Sequence, residues 1–417
     1  MVLNVTDCTK ATQGGMKEKC DRRHWLTLER LTIYPIALFG SEVLAALIFF
    51  ILYPHLQNVD PGLPFSSDFR VFWGASYLAL HGYAADAYNI EKLFDALRLA
   101  DPALIRPRAW FNWFYPPTFL LAVLPLALLP YLMSYALFVL GTLAGYLALL
   151  RRIVPMAGST LVVIALAFPP TILTAFNGQN AFLTATLAGL GLMLLERRPV
   201  LAGVCIGLLS IKPHLAVLFP LALVCSRSWK ALLAAGLTAL GLTVLSVAVL
   251  GMRTIPAFLE GIHLARTLAS AGELPLAKMP TVYGALRLLG LSTDVANGLH
   301  ILVALVAALV VVAVWRKPLP LYLRASVLVT SSLLISPHMY DYDLTWLALP
   351  MAWLANQGIQ NGWRRGEREL LLGAWISPMV TVALANGFSI QLEPLVILLM
   401  LIALLRRAHI PKRSFSG

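Results

Sequence analysis

Long apolar runs recur through most of this chain, and they leave few folds open to it. Of its 417 residues, 59% are hydrophobic and 12% are charged. Runs long enough to cross about 30 Å of hydrocarbon recur from Leu31 to Arg406. Inside a bilayer every backbone polar group needs an internal partner, which a helix provides. The sequence therefore predicts an all-α polytopic membrane protein, with the lipid bilayer as a permanent partner.

The distribution of charge predicts the topology. Alternate loops collect most of the 32 Lys and Arg residues, as cytoplasmic loops do. The net charge of +12 therefore reflects orientation in the membrane, and no nucleic-acid partner is expected. The predicted spans, about 12 in number, are 31–53, 132–150, 158–176, 181–195, 199–211, 213–226, 231–250, 294–315, 320–336, 344–356, 369–386 and 390–405. Residues 1–30 and 406–417 are expected to be cytoplasmic tails of a single transmembrane domain, 31–405.

Three apolar segments do not fit simple spans. Sidedness of charge permits an odd number of crossings between Trp113 and Leu150, so segment 116–129 is expected to re-enter or lie on the membrane surface. The runs 199–211 and 213–226 are short for full spans at about 1.5 Å per residue. Broken helices of this kind are tolerated where they line a polar cavity.

The first outer loop, residues 54–115, carries a carboxylate among aromatic residues. Asp68 lies at the start of a predicted helix whose Phe69, Phe72 and Trp73 recur at helical spacing, giving an apolar face for the membrane interface. Asp68 could cap this helix. It could also act as a general base, because aromatic neighbours desolvate the carboxylate and raise its basicity.

The same loop holds further candidates. A second helix is predicted over 89–99 with Asn89 as its N-cap. Trp113 and Tyr115 follow at the position expected of an aromatic belt, and both are candidate substrate-binding residues.

Two breaks between apolar runs add polar groups on the same face. Asn177, Gln179 and Asn180 form a junction that is either a plain turn or a set of amides suited to sugar hydroxyls. Lys212 lies in an apolar context before Pro213, where it would either reach the interface or bind an anion such as phosphate. His214 beside it is a structural residue or a further substrate contact.

The segment 336–343 is a third polar cluster on the outer face. Asp341 and Asp343 could cap the next span. His338 fits that role poorly and could orient Asp68 or bind a phosphate. Tyr340, like Tyr342, could stack on a sugar. The carboxylates are too few for a dedicated hard-cation site, so neither a metal nor a cofactor is expected.

Four ordered motifs carry a family resemblance across residues 31–405. They are DFRVFWGASYLALHG with AYNIEKL, WFYPPTFLLAVLPLALLPY, NGQNAFLTATLAGLGLMLLERRPVLAGVCIGLLSIKPH, and SPHMYDYDLTWLALP. Together they resemble glycosyltransferase family 87, polytopic enzymes of the GT-C superfamily. The resemblance implies a GT-C bundle in a bacterial inner membrane with an extracytoplasmic active site. It also implies a polyprenyl-phosphate sugar donor, with mannose as the sugar, and inverting transfer to a glycan or glycolipid acceptor.

The resemblance assigns roles to particular residues. Asp68 matches the acidic residue of the first loop, the catalytic base, and Lys212 matches a Lys-Pro break. His214 departs from the Gln more usual after that break, while His338 and Asp341 to Asp343 match the late outer motif. Two other classes stay open. A lipid-linked glycan polymerase or ligase would use a pyrophosphate donor, and a transporter or flippase would show paired internal repeats, of which the sequence gives no sign.

Overall fold

A computed structural model describes residues 28–52, 67–104, 112–155 and 158–409, and these contain helices, turns and loops without a β-strand. The predicted all-α class is confirmed. The helices are α1 (Leu28–Leu52), α2 (Ser67–Leu80), α3 (Ile90–Ala100), α4 (Pro117–Val123), α5 (Tyr131–Ile153), α6 (Gly158–Leu166), α7 (Pro169–Asn177), α8 (Ala181–Leu194), α9 (Pro199–Leu208), α10 (Pro213–Ala216), α11 (Leu218–Cys225), α12 (Trp229–Leu250), α13 (Thr254–Ser270), α14 (Val282–Leu288), α15 (Thr293–Trp315), α16 (Leu321–Ile335), α17 (Ala348–Asn361), α18 (Glu367–Phe388) and α19 (Glu393–His409).

Short 3₁₀ helices connect several of these elements. They are Ala84–Tyr88, Leu124–Leu128, Leu209–Ile211, Leu276–Lys278 and Asp341–Leu347. The predicted tails lie largely outside the described residues, as does the start of the first outer loop up to Ser66.

Among the described helices, five are long and apolar enough to cross a membrane. They are residues Glu29–Phe49 of α1 together with α5, α12, α15 and α18. A sixth span results if α6 and α7, which are bent by 60° at their junction, are counted as one. The bend falls at Pro169 and Pro170, which lack the N–H that a continuous helix would use. The protein is a membrane protein, but the predicted count of 12 spans is not confirmed.

The segment predicted to deviate from a simple span is a short helix, α4, followed by the 3₁₀ helix Leu124–Leu128. It packs along α2. Trp73 donates its indole N–H to the Leu129 carbonyl at 3.1 Å, and the Ser76 hydroxyl donates to the Leu124 carbonyl at 2.7 Å. These bonds attach α2 to the segment that leads into α5.

The apolar face of α2 is buried in protein, which corrects the prediction that it faces the membrane interface. Phe69 is 0% exposed and Phe72 is 1% exposed. Their rings meet those of Tyr135 and Phe119 at centroid distances of 5.5 and 5.0 Å. Aromatic rings bury large apolar areas, so this cluster is the main reason why α2 docks against α4 and α5.

Two polar features complete the fold of this loop. The predicted cap is confirmed, because the Asn89 side chain accepts hydrogen bonds from the backbone N–H of Glu91 and Lys92, both at 3.1 Å. Arg70 of α2 forms a buried ion pair with Asp101, which follows α3, at 3.3 Å. Both apolar contacts and a buried ion pair therefore hold α2 in place.

Candidate active site

A glycine brings α2 against the junction of α7 and α8. Gly178 has a φ of +68°, a left-handed conformation that ends α7. A Cβ atom at this position would lie 2.5 Å from the Phe69 Cβ and 2.9 Å from a Tyr135 ring carbon. Only glycine permits this approach, and the residue after it, Gln179, is thereby placed beside the first turn of α2.

Gln179 holds the predicted catalytic carboxylate. Its side-chain N–H donates to the Asp68 Oδ2 at 2.7 Å, while its Oε1 accepts from the Tyr115 hydroxyl at 3.1 Å. The same Oε1 accepts from the Asn180 backbone N–H at 3.1 Å. Because Gln179 is 4% exposed, its amide has little freedom to rotate. Gln179 therefore joins two other predicted site residues, Asp68 and Tyr115.

The next residue continues the network to a buried ion pair. The Lys212 ammonium donates to the Asn180 Oδ1 at 3.2 Å and to the Asp343 Oδ1 at 2.5 Å. Lys212 is 3% exposed and Asp343 is 0% exposed. Lys212 also stands 5.1 Å above the centre of the Tyr342 ring. The predicted contact with a donor phosphate stays a prediction, and in this structure the ammonium is already neutralised by Asp343.

Tertiary hydrogen bonds position the segment that carries Asp343. The Thr174 hydroxyl of α7 donates to the Tyr342 carbonyl at 3.2 Å and is 2.9 Å from the Thr345 hydroxyl. The Asp343 Oδ2 also accepts from the Tyr340 N–H at 3.4 Å. Asp343 therefore combines the predicted capping role with an ion pair, and the two functions use different oxygens.

Asp341 is the third carboxylate of the site. Burial raises its pKa to about 6, while Lys278 opposes this shift and the charges of Asp68 and Asp343 add to it. The pKa of Tyr115 is also raised, by burial and by the charges of Asp343 and Asp68. Hydrogen bonds link Asp68 to Asp343 through Gln179, Asn180 and Lys212, and Asp341 shares a 3₁₀ helix with Asp343. We call these three carboxylates the acidic cluster (Asp68, Asp341 and Asp343).

The predicted histidines belong to a neighbouring group. His338 lies 6.0 Å from the Tyr283 ring, and its pKa is lowered by desolvation and by nearby His300. His214 as a whole is half-buried. Its Nε2 atom is fully buried and has no hydrogen-bond partner among the described residues. The catalytic role expected of His338 and the substrate contact expected of His214 stay predictions.

Other predicted residues have more specific surroundings. The Tyr340 ring packs 5.7 Å from that of Tyr342. The Asn177 side-chain N–H donates to the carbonyl of Leu173 in the same helix at 2.9 Å. Trp113 is stacked on Phe119 and is 2% exposed, so it lies in the aromatic core of the loop and has little surface left for a substrate.

Three positioning features were not found from the sequence. Arg70 lies in α2 and Asp101 directly after α3, and the sequence gives no reason to pair these two charges with each other. Thr174 gives no local signal, because threonine is ordinary in an apolar helix.

Among the described residues, no group of three or more His, Cys, Asp or Glu side chains has an arrangement that could hold a metal ion.

A polytopic helical membrane protein with three carboxylates, a buried ion pair and aromatic residues in one region has the equipment of a membrane-embedded transferase. The sequence model of glycosyltransferase family 87 matches residues 113–337, which is more than half of the chain. The chain belongs to glycosyltransferase family 87. Its substrates therefore include a sugar donor and an acceptor. Searches of curated proteins and of solved structures gave no match.

Proposed function

We propose that this protein transfers a hexose from a polyprenyl-monophosphate donor to a hydroxyl group of a glycan or glycolipid, with inversion at the anomeric carbon. Mannose is the sugar that the resemblance favours. The observation that carries the proposal is the contact of Asp68 with Gln179, which joins the first loop to the network of Asn180, Lys212 and Asp343.

Asp68 is the general base in this proposal. The neutral Gln179 amide donates to its Oδ2 at 2.7 Å and orients the carboxylate. Asp343 is less suited to the role, because both of its oxygens are engaged: the Lys212 ammonium lies 2.5 Å from Oδ1, and the Tyr340 N–H donates to Oδ2. Asp341 is the rival base, since burial has raised its pKa to about 6.

The reaction requires one proton transfer and one displacement. The acceptor oxygen attacks the anomeric carbon from the face opposite the phosphate and forms the new glycosidic bond. Its proton passes to Asp68. The bond between the anomeric carbon and the phosphate oxygen breaks, and polyprenyl monophosphate leaves with the electron pair. A phosphate needs no separate carboxylic acid to protonate it, in contrast to the leaving group of a glycosidase.

The proposal places the site on the outer face of a bacterial inner membrane, with both termini in the cytoplasm. The supporting feature is the concentration of Lys and Arg in the loops on the opposite side from the acidic cluster. His338, His214 and Asn177 are kept as further substrate contacts on the strength of their positions in the matching motifs.

The decisive experiment compares Asp68→Asn with Asp341→Asn in full-length protein reconstituted in liposomes with polyprenyl-phosphate mannose. Removal of a general base typically lowers kcat by about 10²–10⁴-fold. We expect a loss of this size for Asp68→Asn and a smaller one for Asp341→Asn, with unchanged donor affinity in Asp68→Asn. Transfer by Asp68→Asn at the native rate would remove the base role from Asp68.

The identity of the released lipid tests the reaction class. Polyprenyl monophosphate is the expected product. Polyprenyl pyrophosphate would instead indicate a polymerase or ligase, and movement of the lipid across the bilayer without a new glycosidic bond would indicate a flippase.

A further inference from the structure

A groove of about 360 Å³ lies between α18 and α19, and none of its lining residues belongs to the candidate active site. Three of the side chains that line it, Ile376, Val380 and Leu399, are exposed at the surface of the protein. In a membrane protein such apolar side chains face lipid. The lining is almost entirely apolar and includes Gly373, Ala374, Ile376, Val380, Val396 and Leu399.

Gly373 gives the groove part of its width. A Cβ atom at this position would meet no other heavy atom within 4 Å. Because α18 is long and apolar enough to cross a membrane, the space beside Gly373 lies at hydrocarbon depth. A lipid chain therefore suits the groove. Lipid tails are as apolar as the lining, so packing and the headgroup decide which lipid binds best.

Arginines are concentrated at one end of the same two helices. Among the described residues, segments 362–370 and 405–408 contain five arginines and two glutamates, which gives a net charge of +3. The charge distribution assigns this end to the cytoplasm. That rule accounts for the presence of the arginines but not for their arrangement around the groove.

A buried glutamate fixes the backbone at this end. Glu367 is 2% exposed, and both of its oxygens accept hydrogen bonds from the Arg407 guanidinium, one of them from Nε at 2.6 Å. The Arg364 N–H donates to Glu367 at 2.8 Å, and the Arg364 guanidinium donates to the Arg406 carbonyl at 2.6 Å. The start of α18 and the end of α19 are thereby tied together.

Two exposed arginines, Arg365 and Arg406, continue the line of the groove. Arg406 comes seven residues after Leu399, which is about two helical turns, so both lie on one face of α19 and are about 10 Å apart along its axis. Arg365 comes four residues before Glu369, which lines the groove at this end. Glu369 also brings a negative charge, but the arginines of this end outnumber the glutamates.

We propose that the groove between α18 and α19 binds an anionic phospholipid, with an acyl chain beside Gly373 and the phosphate between Arg365 and Arg406. Guanidinium groups suit phosphate because they can donate two parallel hydrogen bonds to it. Basic residues at the end of a membrane span also attract anionic headgroups. The bound lipid would bridge α18 and α19. This site does not depend on the proposed sugar transfer.

The test measures lipid binding to the full-length protein in detergent micelles by native mass spectrometry. The protein is titrated with phosphatidylglycerol and, in parallel, with phosphatidylcholine of the same chains. We expect the wild type to bind phosphatidylglycerol more tightly. The double variant Arg365→Gln/Arg406→Gln should bind it about tenfold or more weakly, because two charged contacts with the headgroup are lost. Its affinity for phosphatidylcholine should stay that of the wild type.

Arg151→Gln/Arg152→Gln is the matched control, because it removes two exposed arginines from the end of α5. It should bind phosphatidylglycerol as the wild type does. Equal weakening in this control would overturn the proposal, since the lipid would then respond only to total charge. Equal affinity in Arg365→Gln/Arg406→Gln and wild type would overturn it as well.

A second pair of variants tests the acyl chain. Gly373→Leu fills the groove and should weaken both lipids by a similar factor. Gly387→Leu is the control, because Gly387 also lies in α18, near its other end, and a Cβ has open space there. It should leave both affinities unchanged. Wild-type affinity for phosphatidylglycerol in Gly373→Leu would overturn the assignment to a lipid, because the arginines would then hold an anion without its chain.

Discussion

Removing one member of the Lys212–Asp343 pair should destabilise the protein more than removing both. The two atoms are 2.5 Å apart and both side chains are almost fully buried. At an effective dielectric constant of about 20, their attraction is about 7 kcal/mol, from which the desolvation of both ions has to be subtracted. Breaking a buried pair by removing one partner costs about 3–5 kcal/mol, because the other charge is left unpaired.

We therefore expect Lys212→Met and Asp343→Asn each to lower the free energy of unfolding by about 3–5 kcal/mol. The double variant has no unpaired charge. It still loses the hydrogen bond from Lys212 to the Asn180 Oδ1, so a loss of about 1–3 kcal/mol is expected. The measurement is equilibrium unfolding in mixed micelles, followed for the four members of the double-mutant cycle.

Additive losses in the double variant would refute this reasoning, because they would mean that the two charges do not depend on each other. The cycle also separates the two roles considered for Lys212. If this ammonium serves mainly to bind the donor phosphate, Lys212→Met should weaken the binding of farnesyl monophosphate, a short analogue of the proposed donor. The free energy of unfolding should then stay near that of the wild type.

Two further predictions concern Gly178 and Asp341. Gly178→Ala should lower the free energy of unfolding by about 2–5 kcal/mol, because alanine is strained in the left-handed conformation and its Cβ overlaps Phe69. It should also lower kcat, because α2 has to move. Gly236→Ala in α12 is the control, since a Cβ has open space there, and equal melting temperatures of the two variants would contradict the packing argument. The folded protein holds the Asp341 proton up to about pH 6, against a reference value of 3.8, so the stability linked to this carboxyl is greatest below about pH 4 and is lost as the pH rises through about 6. Melting curves of Asp341→Asn should lack that part of the pH dependence, and parallel curves for wild type and variant would contradict it.

Much of the site could be predicted from residue types and their order. A carboxylate beside aromatic rings, amides at a helix junction and a lysine in an apolar run all cost free energy unless they have partners, and this cost made Asp68, Gln179 and Lys212 conspicuous. The cap at Asn89 was predicted from its position before a helical pattern, and the structure confirms it. Charge sidedness indicated that these groups share one face, although it gave no distances.

The partners themselves could not be predicted. Lys212 and Asp343 are separated by 131 residues, and nothing local in the sequence selects Asp343 over Asp341 or a phosphate. The apolar face of α2 was assigned to the membrane interface because burial in lipid and burial in protein demand the same residue types.

The buried ion pair has a consequence for how the protein is made. Lys212 leaves the ribosome and enters the bilayer well before Asp343 has been synthesised, so the nascent chain carries this cation into a low-dielectric environment without its counter-ion. Insertion of the segment after α16 then supplies the missing charge and, through Asn180 and Gln179, completes the setting of Asp68. The candidate site is thus assembled late, and a chain truncated before Asp343 should be degraded by the cell's membrane proteases.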